Sequence, residues 1–219
     1  LKRPLIINFK NYSEASAANT VRLAKAAQKV AEKLKVEIVL APPQPSLAMV
    51  AKSVKLPVIC QHVDNEKEGS TTGFFVPEVA KSYGAVGSLV NHSEHRIEMK
   101  AIAGIVERMR KLGMTSIVCA RDSKEVMEIS VFKPDFIAIE PPELIGSGRA
   151  VSKENPAIIT RSIEAAGSRS RVICGAGITD KGDVKAALKL GSRGILVASG
   201  IVKAKSWVEK ISELASGMK

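Results

Sequence analysis

The chain predicts an α/β fold, a single (β/α)8 barrel spanning residues 1–219. Two observations lead there. Eight apolar, β-rich runs alternate with helix-like segments, and no linker or low-complexity stretch interrupts the series. The runs are continuously apolar rather than alternating, the pattern of parallel strands covered on both faces. A doubly wound open sheet is the main rival. It would bring a glycine-rich GxGxxG turn after its first strand, and Asn8-Phe9-Lys10-Asn11-Tyr12 is nothing like that.

In chain order the strand-like runs are Leu5–Phe9, Val36–Leu40, Val58–Cys60, Ala85–Val90, Ser116–Cys119, Phe136–Ile139, Val172–Cys174 and Gly194–Val197. Between them, apolar residues recur at helical spacing. Ala24, Ala27, Ala31 and Leu34 form one stripe, and Val184, Ala187 and Leu188 another. Asn155 before Pro156 reads as an N-cap followed by proline at the first helical position. Gly191, after Lys189, reads as a helix stop. A chain of 219 residues is at the lean end for such a barrel, so several helices must be short. Surface they leave bare would be covered by a second subunit.

The composition, 45% hydrophobic and 25% charged, is that of a soluble globular protein. No apolar run approaches the roughly 18 residues of a membrane helix. Leu1-Lys2-Arg3-Pro4 is not followed by the apolar core of a signal peptide. Cys60, Cys119 and Cys174 form no CxxC and no zinc pattern, so they read as buried reduced thiols of a cytoplasmic protein. The net charge of +11 raises the question of nucleic acid. However, the cations follow helical faces (Arg22, Lys25, Lys29, Lys33; Arg96, Lys100, Arg108, Lys111), broken by Glu32, Glu98 and Glu107. Only 4% of residues are aromatic, too few for a stacking platform. Solvated faces and steering of a small anion are the expectation, with neither nucleic acid nor membrane as partner.

The chain's unusual polar residues fall at the carboxyl ends of the strand-like runs, where a barrel gathers its active site. Asn8 and Lys10 follow the first. Asn91-His92-Ser93-Glu94 follows the fourth. Glu140 follows the sixth and is succeeded by Pro141-Pro142 and, after a short turn, by Gly146-Ser147-Gly148. The last two runs end in Gly175-Ala176-Gly177 and Ala198-Ser199-Gly200. Taken singly, Lys10 is a surface charge, His92 a structural histidine and Glu140 a loop cap. Together, a cation, an imidazole and a carboxylate at three strand ends suit proton abstraction beside a carbonyl. The carboxylate acts as base, the imidazole polarises the oxygen, and the ammonium stabilises the developing enediolate. Ser93-Glu94 reads as the opening of a helical turn whose amino end favours a neutral ring. The glycine-rich loops would offer backbone N–H groups to a phosphate.

These strings resemble the triosephosphate isomerase family along the whole chain, in its compact archaeal form. Asn8-Phe9-Lys10-Asn11 is similar to the family's first catalytic loop, and Asn91-His92-Ser93-Glu94 to its histidine motif. Glu140-Pro141 and Ile145-Gly146-Ser147-Gly148 are similar to its base, lid hinge and lid tip. The resemblance implies interconversion of dihydroxyacetone phosphate and D-glyceraldehyde 3-phosphate, without metal or organic cofactor. It implies Glu140 as base, His92 as electrophile and proton shuttle, and Lys10 as electrostatic stabiliser. It further implies that Asn8 orients the substrate and that Glu94 pairs with Lys10. Main-chain N–H groups at Gly146, Gly177, Ala198 and Ser199 would carry the phosphate.

Departures from the pattern are His95, where the family usually has Arg, and the Phe74-Phe75 pair after Gly69-Ser70-Thr71-Thr72-Gly73. That loop resembles the one that reaches into a partner subunit, so a homodimer is implied, with pairing into a tetramer open. Ala198-Ser199 stands where a Gly pair is common, and backbone contacts there tolerate side chains if φ stays negative. Two alternatives explain less. Another phosphate-binding barrel, such as a sugar-phosphate epimerase, accounts for the last two loops but not for the lid string. A non-enzymatic polyanion-binding barrel leaves Glu140 without a purpose.

Overall fold

A computed structural model describes residues 1–144 and 154–219. Among the described residues seven parallel strands form one sheet: β1 (Leu5–Asn8), β2 (Ile38–Ala41), β3 (Gly87–Val90), β4 (Thr115–Ala120), β5 (Phe136–Ile139), β6 (Arg171–Cys174) and β7 (Ile195–Val197), in the order β2-β1-β7-β6-β5-β4-β3. The expected eighth strand lies in the gap between β2 and β3. Val58 bridges to Leu40 and Cys60 to Ser88, both parallel. Ile59 N–H donates to Leu40 O at 2.8 Å, and Leu89 N–H to Cys60 O at 2.9 Å, so the cylinder closes through this segment. Pro57, which has no N–H to add to a ladder, stands at its start, and only three apolar residues follow before Gln61. The barrel of eight β-like runs expected from the sequence is thus built, among the described residues, from seven strands and the bridging segment 58–60.

Helices cover the outside: α1 (Ala18–Leu34), α2 (Leu47–Ser53), α3 (Pro77–Ser82), α4 (Met99–Lys111), α5 (Ser123–Ser130), α6 (Pro156–Ala166), α7 (Lys181–Lys189), α8 (Ser199–Val202) and α9 (Trp207–Gly217). Several are short, as the chain length demands. The α1 stripe Ala24, Ala27 and Ala31 is buried, with Leu34 half-buried. α7 starts at a capping box, the Asp180 side chain accepting from Asp183 N–H while Asp183 accepts from the Asp180 backbone. Asn155 precedes α6 but makes no side-chain capping bond.

Two apolar layers explain why the strands read as continuous runs. Leu5, Ile7, Ile38, Leu40, Ile137 and Ile139 point outward to the helices. Their neighbours Ile6, Val39, Phe136, Ala138, Ile173 and Leu196 fill the cylinder. With a strand period of two, every residue thus faces apolar neighbours. The inner plug seats the polar groups at the rim rather than inside. Cys60, Cys119 and Cys174 are buried and unpaired. Burial pushes the thiols of Cys60 and Cys174 up to about 12. Among the described residues no helix is long and apolar enough to cross a membrane, and no cluster of His, Cys, Asp or Glu is arranged to hold a metal.

Candidate active site

Each polar residue singled out above stands at or just beyond a strand's carboxyl end. Asn8 closes β1, and its Oδ1 accepts the Lys10 N–H at 3.0 Å, turning the chain back on itself. Lys10 takes φ 48°, a conformation unusual for a side chain with a Cβ. The turn is braced from outside: Gln61 Nε2 donates to Lys10 O at 3.0 Å and to Ala41 O at 3.1 Å. From this braced turn the Lys10 side chain extends along the cavity wall, and Nζ reaches Glu94 Oε1 at 2.7 Å.

The second arm uses the same device. Asn91, directly after β3, is fully buried at φ 61°. Its Nδ2 donates to Cys119 O at 3.0 Å and its Oδ1 accepts Ile97 N–H at 3.1 Å, pinning the loop between β3 and α4 to β4. His92 follows, buried, with Nδ1 accepting the Glu94 N–H at 3.2 Å. A nitrogen that accepts carries no proton, so the ring proton sits on Nε2 and points into the site. Nε2 lies 3.7 Å from Glu140 Oε1. Ser93 and Glu94 form one turn, closed by His95 N–H to His92 O, rather than the start of a helix. α4 begins only at Met99.

The third arm is the most enclosed. Glu140 leaves β5 with its N–H bonded to Ala120 O at 2.8 Å, and the residue is 4% exposed. Burial pushes its carboxyl above the ordinary range, and His92, the Cys119 thiol and Lys10 pull the other way. Its Oε2 is buried with no hydrogen-bond partner among the described residues. A carboxylate with an unspent oxygen, in a dry place and facing an imidazole N–H, is poised to take a proton.

Gly175 has a part in this that the sequence did not reveal. A Cβ at that position would stand 2.5 Å from Glu140 Cγ, so only glycine leaves the carboxylate room. Gly177 takes φ 70°, the left-handed region that glycine enters without strain. Ala198 takes φ −126°, and Ser199 opens the single-turn helix α8 without positive φ.

Asn8, Lys10, His92, Glu140, Gly177, Ala198 and Ser199 line one cavity of about 370 Å³. Glu94 lies outside it, 59% exposed at its side chain, touching it through Lys10. Gly146 and the rest of the segment 145–153 lie outside the described residues. Sequence reading missed two further lining residues, Tyr12 and Lys203. Lys203 Nζ stands 4.6 Å from the centre of the Tyr12 ring, a cation held over an aromatic face. Neither lies in a conspicuous string. Their only sequence signal is position, Tyr12 soon after the end of β1 and Lys203 directly after the short helix that follows β7.

A second groove of about 880 Å³ adjoins the first, and Lys10, His92 and Glu94 belong to both its wall and the reactive arms. Its far side is built by Gln44, His62, Phe74 and His95. His95 stacks on His62 with ring centroids 4.0 Å apart. The two phenylalanines divide: Phe74 is 51% exposed, whereas Phe75 packs against the core.

The comparisons with known proteins agree with this geometry. The family model of triosephosphate isomerase matches residues 4–214. A triosephosphate isomerase of Cenarchaeum symbiosum is 50% identical over 216 residues, 98% of this chain and 97% of the relative. One from Methanothermus fervidus is 42% identical over the full length of both chains. One from Methanocaldococcus jannaschii is 41% identical over 96% of this chain and 97% of its own. With a parallel barrel that gathers these polar residues at its rim, a family model matched over residues 4–214 and relatives at 41–50% identity, the chain belongs to the triosephosphate isomerase family.

Proposed function

We propose that this protein interconverts dihydroxyacetone phosphate and D-glyceraldehyde 3-phosphate, with Glu140 as the base. The observation that carries this reading is the pair formed by a buried carboxylate, whose Oε2 has no hydrogen-bond partner among the described residues, and the His92 Nε2 3.7 Å from its other oxygen. Glu140 removes a proton from the carbon next to the carbonyl, and the C–H electron pair becomes the double bond of an enediolate. The charge that grows on the carbonyl oxygen meets the His92 Nε2–H and the Lys10 ammonium, contacts stronger in the transition state than in the ground state. His92 passes a proton between the two oxygens, and Glu140 returns its own to the neighbouring carbon. Atoms and electrons balance without a cofactor.

The substrate's phosphate would rest on main-chain N–H groups at Gly177, Ala198 and Ser199, with Gly146 added from the segment outside the described residues. Asn8 holds the Lys10 turn and orients the substrate, and Glu94 holds the ammonium in place. Lys203 is the ammonium at this cavity with no salt bridge among the described residues, since Lys10 is engaged by Glu94. It would balance phosphate charge. Lys203→Met should raise KM about 10-fold and leave kcat nearly unchanged, the signature of lost ground-state binding.

A homodimer completes the reading. The groove shared with the reactive arms and the exposed Phe74 support a second copy seated there, bracing the Lys10 and His92 loops. The buried thiols fit a reducing compartment, the cytoplasm. The test of the reaction is hydrogen exchange. Dihydroxyacetone phosphate incubated with the protein in D2O should gain deuterium at C1 by NMR while aldehyde product accumulates. The absence of both exchange and product would refute the assignment.

A further inference from the structure

At the opposite end of the barrel, where β5 and β6 begin, lies a cleft of about 600 Å³. Four cations line it: Lys133, Arg169, Arg171 and Arg193. One carboxylate shares the cleft, Asp135, and its Oδ2 is taken by Ser116, from N–H at 2.9 Å and from Oγ at 3.0 Å. Two guanidiniums are held in place before any ligand arrives. Arg171 lies 3.9 Å over the Phe136 ring and donates to Leu1 O at 2.6 Å. Arg169 donates through Nε to Ser130 Oγ at 3.0 Å. The side chains of Lys133 and Arg193 make no hydrogen bond or ion pair among the described residues and are free to close on a guest. The cleft also holds a shielded hydroxyl, Ser170 Oγ, with no hydrogen-bond partner among those residues.

Fixed guanidiniums beside mobile cations suit a multiply charged anion rather than a single phosphate. A rigid fork positions one anionic group, and the flexible side chains reach a second. The one acidic residue, Asp135, turns its Oδ2 to Ser116, and its single charge is outnumbered by the four cations. We propose that this cleft binds a small polyphosphate, the chemistry shared by inorganic pyrophosphate and the tail of a nucleoside triphosphate. The reactive cavity opens at the other end of the strands, so the two sites are separate.

The test is isothermal titration calorimetry in about 0.15 M salt, where exposed charges are screened beyond roughly 8 Å. Pyrophosphate, adenosine triphosphate and orthophosphate are titrated with the reactive cavity filled by glycerol 3-phosphate. Pyrophosphate binding that persists, and that exceeds orthophosphate binding, is the expected result. The double variant Lys133→Gln/Arg193→Gln should weaken it about 10-fold or more and leave triose phosphate turnover unchanged. The charge-matched control Lys29→Gln/Lys33→Gln, on the exposed face of α1, should leave it within about 2-fold of the wild type. Preference between pyrophosphate and the triphosphate identifies the source. Equal loss in both variants, no binding once the cavity is filled, or displacement by duplex DNA with steep salt dependence would each overturn the proposal.

Discussion

At Glu140 two opposing demands meet. A general base, the role proposed for this residue, must be ionised to act, yet Glu140 is 4% exposed, and burial favours its neutral form. Its folded-state pKa is therefore raised. Stability from the protonated carboxyl is complete below the unfolded value, about 4.3, and is lost as pH climbs through the folded value. Glu140→Gln should thus melt higher than the wild type near neutral pH, and the gap should vanish in acid. Catalysis runs the other way: kcat/KM should fall as pH drops through the raised value, giving an acid limb displaced upward from the ordinary carboxylate range. A limb at that ordinary value would remove burial as the cause. Gly175→Ala offers a second residue-level check. With 2.5 Å between the new Cβ and Glu140 Cγ, the carboxylate must shift by the better part of an ångström. A displacement of that size costs on the order of 100-fold in rate, so kcat should fall with little change in KM.

At the scale of elements, two strand ends carry residues in the left-handed region, Lys10 and Asn91. Each is held by side-chain bonds to a neighbouring strand or loop, and Asn91 is the more deeply set. Asn91→Ala deletes both of its side-chain bonds, leaves Cys119 O unpaired in the interior, and should cost about 2–4 kcal/mol by chemical denaturation. Rate should fall too, because His92 is the next residue. A variant as stable as the wild type would mean that the loop holds itself.

Much of this level was legible in the sequence, for a physical reason. Strands buried on both faces leave unbroken apolar runs, and a rim site leaves polar residues where those runs stop. Phe136–Ile139 matches its run to the residue, and Asn8, His92 and Glu140, singled out where runs stop, line one cavity. Features set by contact rather than by type stayed hidden. The fragmented strand at Val58–Cys60 looked like any other β-rich run. The clearance duty of Gly175 was concealed because a glycine reads the same beside a phosphate as beside a carboxylate. The expected helical turn at Ser93 is a single turn, because Asn91 ties Ile97 down before a helix can begin. Lys203 and Tyr12 come from loops that only the closed barrel brings together.

For the whole molecule, charge and assembly are the open dimensions of behaviour. The net charge of +11 creates an attractive field for a dianion. Pairs such as Arg108 with Glu78 and Arg96 with the buried Glu125 cancel within themselves, so the field comes from the cations in excess of the carboxylates. Raising the salt concentration from about 10 to 200 mM should lower kcat/KM by several-fold as the Debye length shrinks from roughly 30 Å to under 10 Å. A flat response would confine steering to the cavity itself. The proposed dimer would use the groove beside Lys10 and Glu94. Sedimentation should give at least a dimer at micromolar concentration, and Phe74→Glu should weaken it and depress activity together. A fully active wild-type monomer would contradict that account.

The central claim is that Glu140 is the base of a triose phosphate isomerisation, and one comparison tests it most directly. Turnover of glyceraldehyde 3-phosphate is followed in a coupled assay for the wild type and for Glu140→Asp. The variant keeps the carboxylate and draws it back by one methylene, about 1 Å or slightly more. The account predicts brisk wild-type turnover and a fall in kcat on the order of 100-fold or more, with KM little changed. A variant as fast as the wild type would show that the proton leaves by another route, and an inactive wild type would contradict the reaction itself.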